Sequence, residues 1–236
     1  MNKIKLIIIL LIYLFSLQSK GQNLSNRKLI KIVRNAPDSI GYFASDIADY
    51  FKTKTENSKE LVLLFSYWID QNISYDVEKY LNDDNTYTTI WDTLETKKTM
   101  CQGFSELFSE LCFWADIESE IIKGYAKGFG FNGKPLKDTN HIWNAVLINN
   151  KWKLVDITWA VGFVNIRKGK FVFNKRFRKQ YIFAKPDDLI ITHLPVKSKW
   201  QLSNNPITFN EFFSEVHEKK RQSVINHSIR SIRYFK

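Results

Sequence analysis

Residues 141–158 read HIWNAVLINNKWKLVDIT, two largely apolar runs separated by a pair of asparagines. Asparagine tolerates positive φ, so Asn149 and Asn150 suit the two-residue turn of a β-hairpin. We therefore predict a β-strand on either side of this turn, reaching to the ends of the stretch. A two-residue turn also fixes the register, and strand alternation then places His141 and Asp156 on the same face as diagonal neighbours.

A second informative stretch lies upstream, where the apolar residues have the spacing of an amphipathic helix. These residues are Phe104, Leu107, Phe108, Leu111 and Ala115. Cys101 would lie in the first turn of this helix, after Thr99 as N-cap, and Cys112 would lie on its apolar side. Eleven residues of helix separate the two cysteines by roughly 16 Å along the axis. A disulfide needs Cα atoms within about 7 Å, so we predict two free thiols.

A cysteine that opens a helix, with a histidine and an aspartate on adjacent strands, indicates nucleophilic catalysis. The thiolate is the reactive form of cysteine, and a helix N-terminus stabilises an anion by at most about 2 kcal/mol. An imidazolium ion pair must therefore supply most of the stabilisation, and His141 is the candidate. Asp156 would accept a hydrogen bond from the second ring nitrogen and fix the imidazole tautomer.

Three segments in this order resemble the transglutaminase-like superfamily, which belongs to the papain-like cysteine folds. They read MCQGF at 100–104, HIWNAV at 141–146 and WKLVDITW at 152–159. Residues 67–76 and 181–202 resemble the bacterial and kyphoscoliosis-peptidase-like branch of that superfamily. The resemblance covers roughly residues 36–215 and implies an α+β fold in which the nucleophile helix packs against an antiparallel β-sheet.

The resemblance also implies acyl transfer on a peptide or glutamine carboxamide through a thioester, without a cofactor or a metal. Water as the acceptor gives a peptidase or deamidase, which we favour, and a lysine amine gives crosslinking. A catalytically silent binding or scaffold module on the same fold is the alternative. The residues assigned to this site are as follows: Cys101, His141 and Asp156 as the catalytic triad; Gln102, Gln71 and Trp68 as candidate oxyanion donors; Trp143 and Trp159 as candidate pocket residues that more often serve packing.

Residues 1–21 have the features of a secretory signal peptide: Lys3 and Lys5, an apolar run at 6–17 and a small-residue end. That run is too short to span a bilayer, which needs about 20 residues. We expect an exported protein, periplasmic or extracellular. Three further divisions are predicted: a helical lead-in at 22–59, the transglutaminase-like domain with a C-terminal extension at 60–215, and a basic C-terminal helix or tail at 216–236.

Composition excludes several other classes of protein. The chain of 236 residues is 44% apolar and 15% aromatic, which excludes collagen and a disordered chain. Two cysteines exclude a disulfide-stapled miniprotein. Loss of the signal peptide removes three lysines and lowers the formal charge from +11 to +8. Because export argues against nucleic acid, we expect a protein or peptide substrate; an anionic envelope surface is a further candidate partner, and the oligomeric state stays open.

Overall fold

The computed structural model describes residues 24–233, with side chains through residue 224. The predicted signal peptide at 1–21 lies outside the described residues. The helices are α1 (Asn26–Arg34), α2 (Ala44–Lys52), α3 (Ser58–Asn72), α4 (Val77–Leu81), α5 (Ile90–Thr96), α6 (Cys101–Trp114), α7 (Ile157–Val161), α8 (Pro186–Leu189), α9 (Phe209–Phe212) and α10 (Glu215–Arg233). Among the described residues, none of these helices combines the length and apolar character that crossing a membrane requires.

The strands form three separate sheets. They are β1 (Ser74–Tyr75), β2 (Lys98–Thr99), β3 (Ser119–Ala126), β4 (His141–Ile148), β5 (Lys151–Val155), β6 (Gly162–Arg167), β7 (Lys170–Lys175), β8 (Ile182–Ala184) and β9 (His193–Pro195). The largest sheet has the order β8-β5-β4-β3-β9, and all of its neighbouring strands are antiparallel. Helix α6 packs against β3 and β4, as expected for an α+β fold with the nucleophile helix on an antiparallel sheet.

The predicted hairpin is confirmed as β4 and β5. Both turn asparagines have positive φ, 50° at Asn149 and 59° at Asn150. Asn144 pairs with Val155, which is the register that the two-residue turn predicts. Because register decides which face each side chain occupies, this turn places the side chain of His141 on the predicted face of the sheet.

The predicted extent of the second strand is wrong by three residues. The strand ends at Val155, and Asp156 is instead the N-cap of α7, where its Oδ1 accepts a hydrogen bond from the backbone N–H of Trp159 at 2.9 Å. An aspartate that can cap a helix competes effectively with continued strand pairing. Thr158 therefore lies in a helix rather than opposite His141.

Thr99 is not the N-cap of the nucleophile helix, although the sequence predicted that role. It pairs with Tyr75 in the short parallel sheet of β1 and β2, and Met100 occupies the cap position without a side-chain hydrogen bond. Thr99 is buried against Gly103, where a Cβ would overlap its hydroxyl. The role of Thr99 is therefore close packing against the start of α6 rather than capping of that helix.

The main core lies between α6 and the helices that precede it. Phe104 and Phe108 of α6 are fully buried together with Phe65 of α3 and Phe51 of α2. Leu29 of α1 joins the same core, so the helices at the start of the described chain pack with the catalytic region. At the other end, residues 193–195 of the predicted C-terminal extension add the edge strand β9 to the main sheet.

Candidate active site

The candidate catalytic side chains all lie where an element begins. Cys101 is the first residue of α6, His141 is the first residue of β4, and Asp156 caps α7. The sequence places them there for local reasons: the Asn-Asn turn sets the position of His141, and the capping preference of aspartate ends the strand at Val155. The structure brings His141 and Asp156 into direct contact.

His141 and Asp156 form a buried ion pair. The Nε2 atom of His141 lies 2.8 Å from Oδ2 of Asp156, and the two side chains are 6% and 0% exposed. The second carboxylate oxygen accepts the backbone N–H of Trp159, so both oxygens of Asp156 are engaged. Because Nε2 faces the carboxylate, Nδ1 is the ring atom available for a thiol.

His193 is a third member of this group, and sequence reasoning missed it as a site residue. Its Nε2 atom lies 2.9 Å from Oδ2 of Asp156, and its Nδ1 atom lies 2.8 Å from the hydroxyl of Thr192. The sole available signal was the resemblance of residues 193–195 to the C-terminal extension, which gives no hint that β9 docks beside the histidine strand.

The three residues of this group have differently shifted pKa values, and they therefore differ in charge near neutral pH. Burial by itself lowers the pKa of His141. The charge and hydrogen bond of Asp156, together with the contact with Cys101, raise it by more, so that the pKa rises from 6.5 to about 10. Burial raises the pKa of Asp156, but its pairing with His141 and His193 holds that pKa well below the usual range. Burial lowers the pKa of His193, against the opposing effect of Asp156. Near neutral pH the group therefore consists of one imidazolium, one carboxylate and one neutral imidazole.

Cys101 and His141 line a common cavity of about 300 Å³. Cys101 is partly exposed, and it contributes both a hydrogen bond and a charge interaction to the raised pKa of His141. Cys112 is buried, and burial raises the pKa of its thiol. Both cysteines are free, as the helical spacing predicted.

Two hydrogen bonds fasten the cysteine helix to the histidine strand. The hydroxyl of Ser105 donates to the carbonyl of Ile142 at 3.1 Å, and the side chain of Asn144 donates to the carbonyl of Ser105 at 3.0 Å. Ser105 and Asn144 are both buried. The relative position of α6 and β4 is thus fixed one turn away from Cys101.

The candidate oxyanion donors line two different cavities. Gln102 lines the cavity of Cys101, but its side-chain amide donates to Glu106 at 2.9 Å. Trp68 and Gln71 line a different cavity, of about 490 Å³, beside α1 and α5. The structure therefore does not place Trp68 or Gln71 with Cys101, because α3 presents them to a separate cavity.

The two pocket candidates also differ. Trp159 lines a second cavity of about 500 Å³ that shares His141 with the first, and its ring centroid lies 4.4 Å from that of His193. Trp143 is 1% exposed and stacks behind His141 at 5.9 Å. Trp159 therefore faces a cavity beside His141, whereas Trp143 packs against the imidazole from the core.

His141, Asp156 and His193 have donor atoms within 4.8 Å of one another, a spacing that a metal ion could bridge. Both Nε2 atoms, however, already lie at hydrogen-bond distance from one carboxylate oxygen. Hydrogen bonding alone accounts for the arrangement, and the prediction of a site without a metal stays a prediction.

The described elements form an α+β fold with a five-stranded antiparallel sheet. Residues 45–157 match the family model of the transglutaminase-like superfamily. This segment is therefore similar to a transglutaminase-like domain, as the resemblance of the three motifs predicted.

Two curated relatives are kyphoscoliosis peptidases. The mouse protein is 34% identical over 64% of this chain and 23% of its own length, and the human protein is 30% identical over 78% of this chain and 27% of its own length. The chain therefore spans about a quarter of the relatives it matches. A solved structure described as a TGase covers 72% of this chain and 41% of its own, with 16% identity and a TM-score of 0.40.

Proposed function

We propose that the protein is an exported cysteine-dependent enzyme that transfers the acyl group of a peptide or glutamine carboxamide through a thioester on Cys101. The observation that carries the proposal is the cavity shared by Cys101 and His141, with the imidazole ion-paired to buried Asp156. Such an imidazolium stabilises a neighbouring thiolate. Export rests on residues 1–21, and N-terminal sequencing of the protein secreted by a host cell tests it.

The proposed reaction has two steps. The Cys101 thiolate attacks the carbonyl carbon, and the imidazolium of His141 gives its proton to the leaving amine as the carbon–nitrogen bond breaks. Neutral His141 then takes a proton from water as the water oxygen attacks the thioester, which releases the acid and restores the ion pair. The backbone N–H groups at the start of α6 are candidates to stabilise the oxyanion in both steps.

We favour hydrolysis over crosslinking. Support comes from the mouse and human relatives, both of which are named as peptidases. The test is incubation with a glutamine-containing protein and a labelled primary amine. We expect peptide cleavage or release of ammonia without incorporation of the amine, and amine incorporation would instead establish crosslinking.

The nucleophile is tested by alkylation at pH 6, with Cys112 as an internal control in the same chain. Iodoacetamide should modify Cys101 quickly and leave Cys112 unmodified, because only a thiolate reacts at that pH and burial raises the pKa of Cys112. His141→Ala should abolish the fast reaction of Cys101 while the protein stays folded. Equally slow labelling of both thiols would refute the enzyme and favour the silent binding module.

A further inference from the structure

The cavity of about 500 Å³ beside His141 has an unusual lining. Rings form much of its wall: Tyr75, Tyr80, Phe129, Trp159, Phe163, Phe173 and Tyr181. Three cations, Lys127, Arg178 and Arg221, also line it. Among the described residues, neither aspartate nor glutamate lines this cavity or the adjoining one that contains Cys101.

Two of the three cations pair with a carboxylate that does not itself line the cavity. Arg221 pairs with Glu218 at 2.6 Å, and Lys127 lies 3.4 Å from the same carboxylate. Lys127 also donates to the backbone carbonyl of Phe212 at 2.6 Å. Lys127 therefore links α10 to the rest of the domain, whereas the pair of Arg221 and Glu218 lies within α10, and Glu218 offsets part of the charge of both cations.

Arg178 has no such partner in residues 24–224. It is half-buried, and its Nε and Nη2 atoms donate to the carbonyls of Trp159 and Gly162 at 2.8 and 2.7 Å. The ring of Tyr181 lies 4.8 Å from the guanidinium carbon. These contacts orient the guanidinium without neutralising it, and they do not occupy its Nη1 atom.

Asp156 cannot neutralise Arg178 by direct pairing. Its Oδ2 receives both His141 and His193, and its Oδ1 receives the backbone N–H of Trp159. A partly desolvated guanidinium without a counter-ion is costly, and its planar set of donors fits a carboxylate. A carboxylate of a bound ligand would supply such a partner.

We infer that this cavity is a subsite for a substrate carboxylate and that Arg178 is its specificity-determining residue. The substrate class is an acidic peptide, whose carboxylate is either an Asp or Glu side chain or a free C-terminus. The aromatic wall accommodates the apolar part of the same residue. The inference rests on the proposed function, since the cavity of Arg178 shares His141 with the cavity that contains Cys101.

The experiment compares two electrophilic peptide probes that alkylate Cys101 and differ only in Glu against Gln beside the reactive group. In the wild type we expect the Glu probe to label about tenfold faster, the lower end of what a charge-assisted hydrogen bond supplies. In Arg178→Gln the two rates should become equal. Arg176→Gln removes the same charge from an exposed position of the same segment and should keep the preference.

A second arm identifies the source of the carboxylate. Peptides that end in a free carboxylate or in an amide, with or without an internal Glu, compete against the Gln probe. Stronger competition by the internal Glu identifies a side-chain carboxylate, and stronger competition by the free acid identifies a C-terminus. Equal competition by all four peptides would overturn the inference.

The controls separate the two possible failures. Equal wild-type labelling by both probes together with equal competition by all four peptides overturns the carboxylate subsite even if Arg178→Gln does not fold. An Arg178→Gln protein that keeps the carboxylate preference overturns it as well. Iodoacetamide at pH 6 reports on the nucleophile alone. Fast reaction of Cys101 without carboxylate preference refutes only the subsite, whereas slow reaction of Cys101 refutes the proposed function and the subsite together.

Discussion

His193 lies with its Nε2 atom 2.9 Å from Oδ2 of Asp156, the same oxygen that receives His141. A carboxylate oxygen only accepts hydrogen bonds, so a neutral His193 must carry its proton on Nε2. Its Nδ1 atom is then an acceptor for the hydroxyl of Thr192. This chain of contacts holds Asp156 at the oxygen that also receives His141, and we infer that His193 is a positioning residue for this candidate catalytic pair.

Replacing His193 should therefore alter the behaviour of Asp156. His193→Leu removes one hydrogen bond that lowers the pKa of Asp156, so that pKa should rise. We expect the acid limb of the pH profile for Cys101 alkylation to move to higher pH, and the rate at pH 6 to fall about tenfold, as for the loss of one hydrogen bond to a charged group. His193→Gln retains an N–H donor and should recover part of the rate. If the acid limb is unchanged in His193→Leu, His193 contributes only to packing and does not position Asp156.

Gly124 should be essential for docking the strand that carries His193. It pairs with His141 on one side and with Pro195 on the other. A Cβ at this position would lie only 2.5 Å from the ring of Trp143, with backbone of β9 also in its way. Gly124→Ala should therefore lower the free energy of unfolding by roughly 1–3 kcal/mol, as overpacked cores do, and displace β9.

Urea denaturation measures this effect, with Gly41→Ala as the matched control. A Cβ at Gly41 would meet its neighbours at ordinary contact distances, 3.4 Å or more. Gly41→Ala should therefore retain nearly wild-type stability and alkylation rate. An equal loss of stability in both variants would show that overlap of the new Cβ with Trp143 and β9 is not the cause of the loss in Gly124→Ala.

The parts of the site that could be predicted from the sequence depend on local chemistry. The Asn149-Asn150 turn fixed the register of the hairpin, and helical spacing placed Cys101 at the start of α6. Asp156 was assigned correctly as the neighbour of His141, although for a partly wrong reason, because capping of α7 rather than strand pairing aims its side chain.

The remaining parts depend on contacts that are distant in sequence. His193 reaches Asp156 across 37 residues because β9 pairs with β3, and no local pattern indicates that pairing. Trp68 and Gln71 were candidate oxyanion donors because they lie upstream of Cys101 in the sequence, which does not determine the direction in which α3 presents them. The structure shows that they border a cavity near α1.

The ion pair of His141 and Asp156 should make stability depend on pH. The pKa of His141 is raised to about 10, so its contribution is complete below its unfolded pKa of about 6.5 and is lost as pH rises through 10. The pKa of Asp156 is lowered, so its contribution is present above about 3.9 and is lost as pH falls through the lowered value. The stabilisation should therefore be greatest between about pH 4 and 6.5.

Asp156→Asn tests this dependence. At pH 6 the substitution should lower the free energy of unfolding by about 3 kcal/mol, because it leaves buried His141 without its counter-ion. The difference from wild type should narrow steadily between pH 7 and 10. Asp138→Asn, at an exposed loop position, serves as the control and should not change stability. A difference that stays constant from pH 5 to 10 would show that the pair is not ionised in the folded protein.

Asp70 should destabilise the protein at neutral pH. It lies at the end of α3, and its Oδ1 atom is buried without a hydrogen-bond partner in the described part of the chain. Burial raises its pKa to about 6, and the charge of Lys175 only partly opposes this. Because the folded pKa exceeds the unfolded one, the ionised carboxylate carries a penalty that is absent near pH 3, grows between the unfolded pKa of about 3.9 and the folded pKa of about 6, and stays constant above that.

Asp70→Asn should consequently stabilise the protein at pH 8. A shift of this size corresponds to about 3 kcal/mol at full burial, and we expect about 1–2 kcal/mol because the side chain is partly solvated. Urea denaturation at pH 8 and pH 4 measures the gain, which should nearly vanish at the lower pH. Asp49→Asn, which removes an exposed carboxylate 3.4 Å from Lys52, should change stability by less than about 0.5 kcal/mol. A loss of stability in Asp70→Asn at pH 8 would mean that the carboxylate has a favourable partner and that burial does not dominate its energetics.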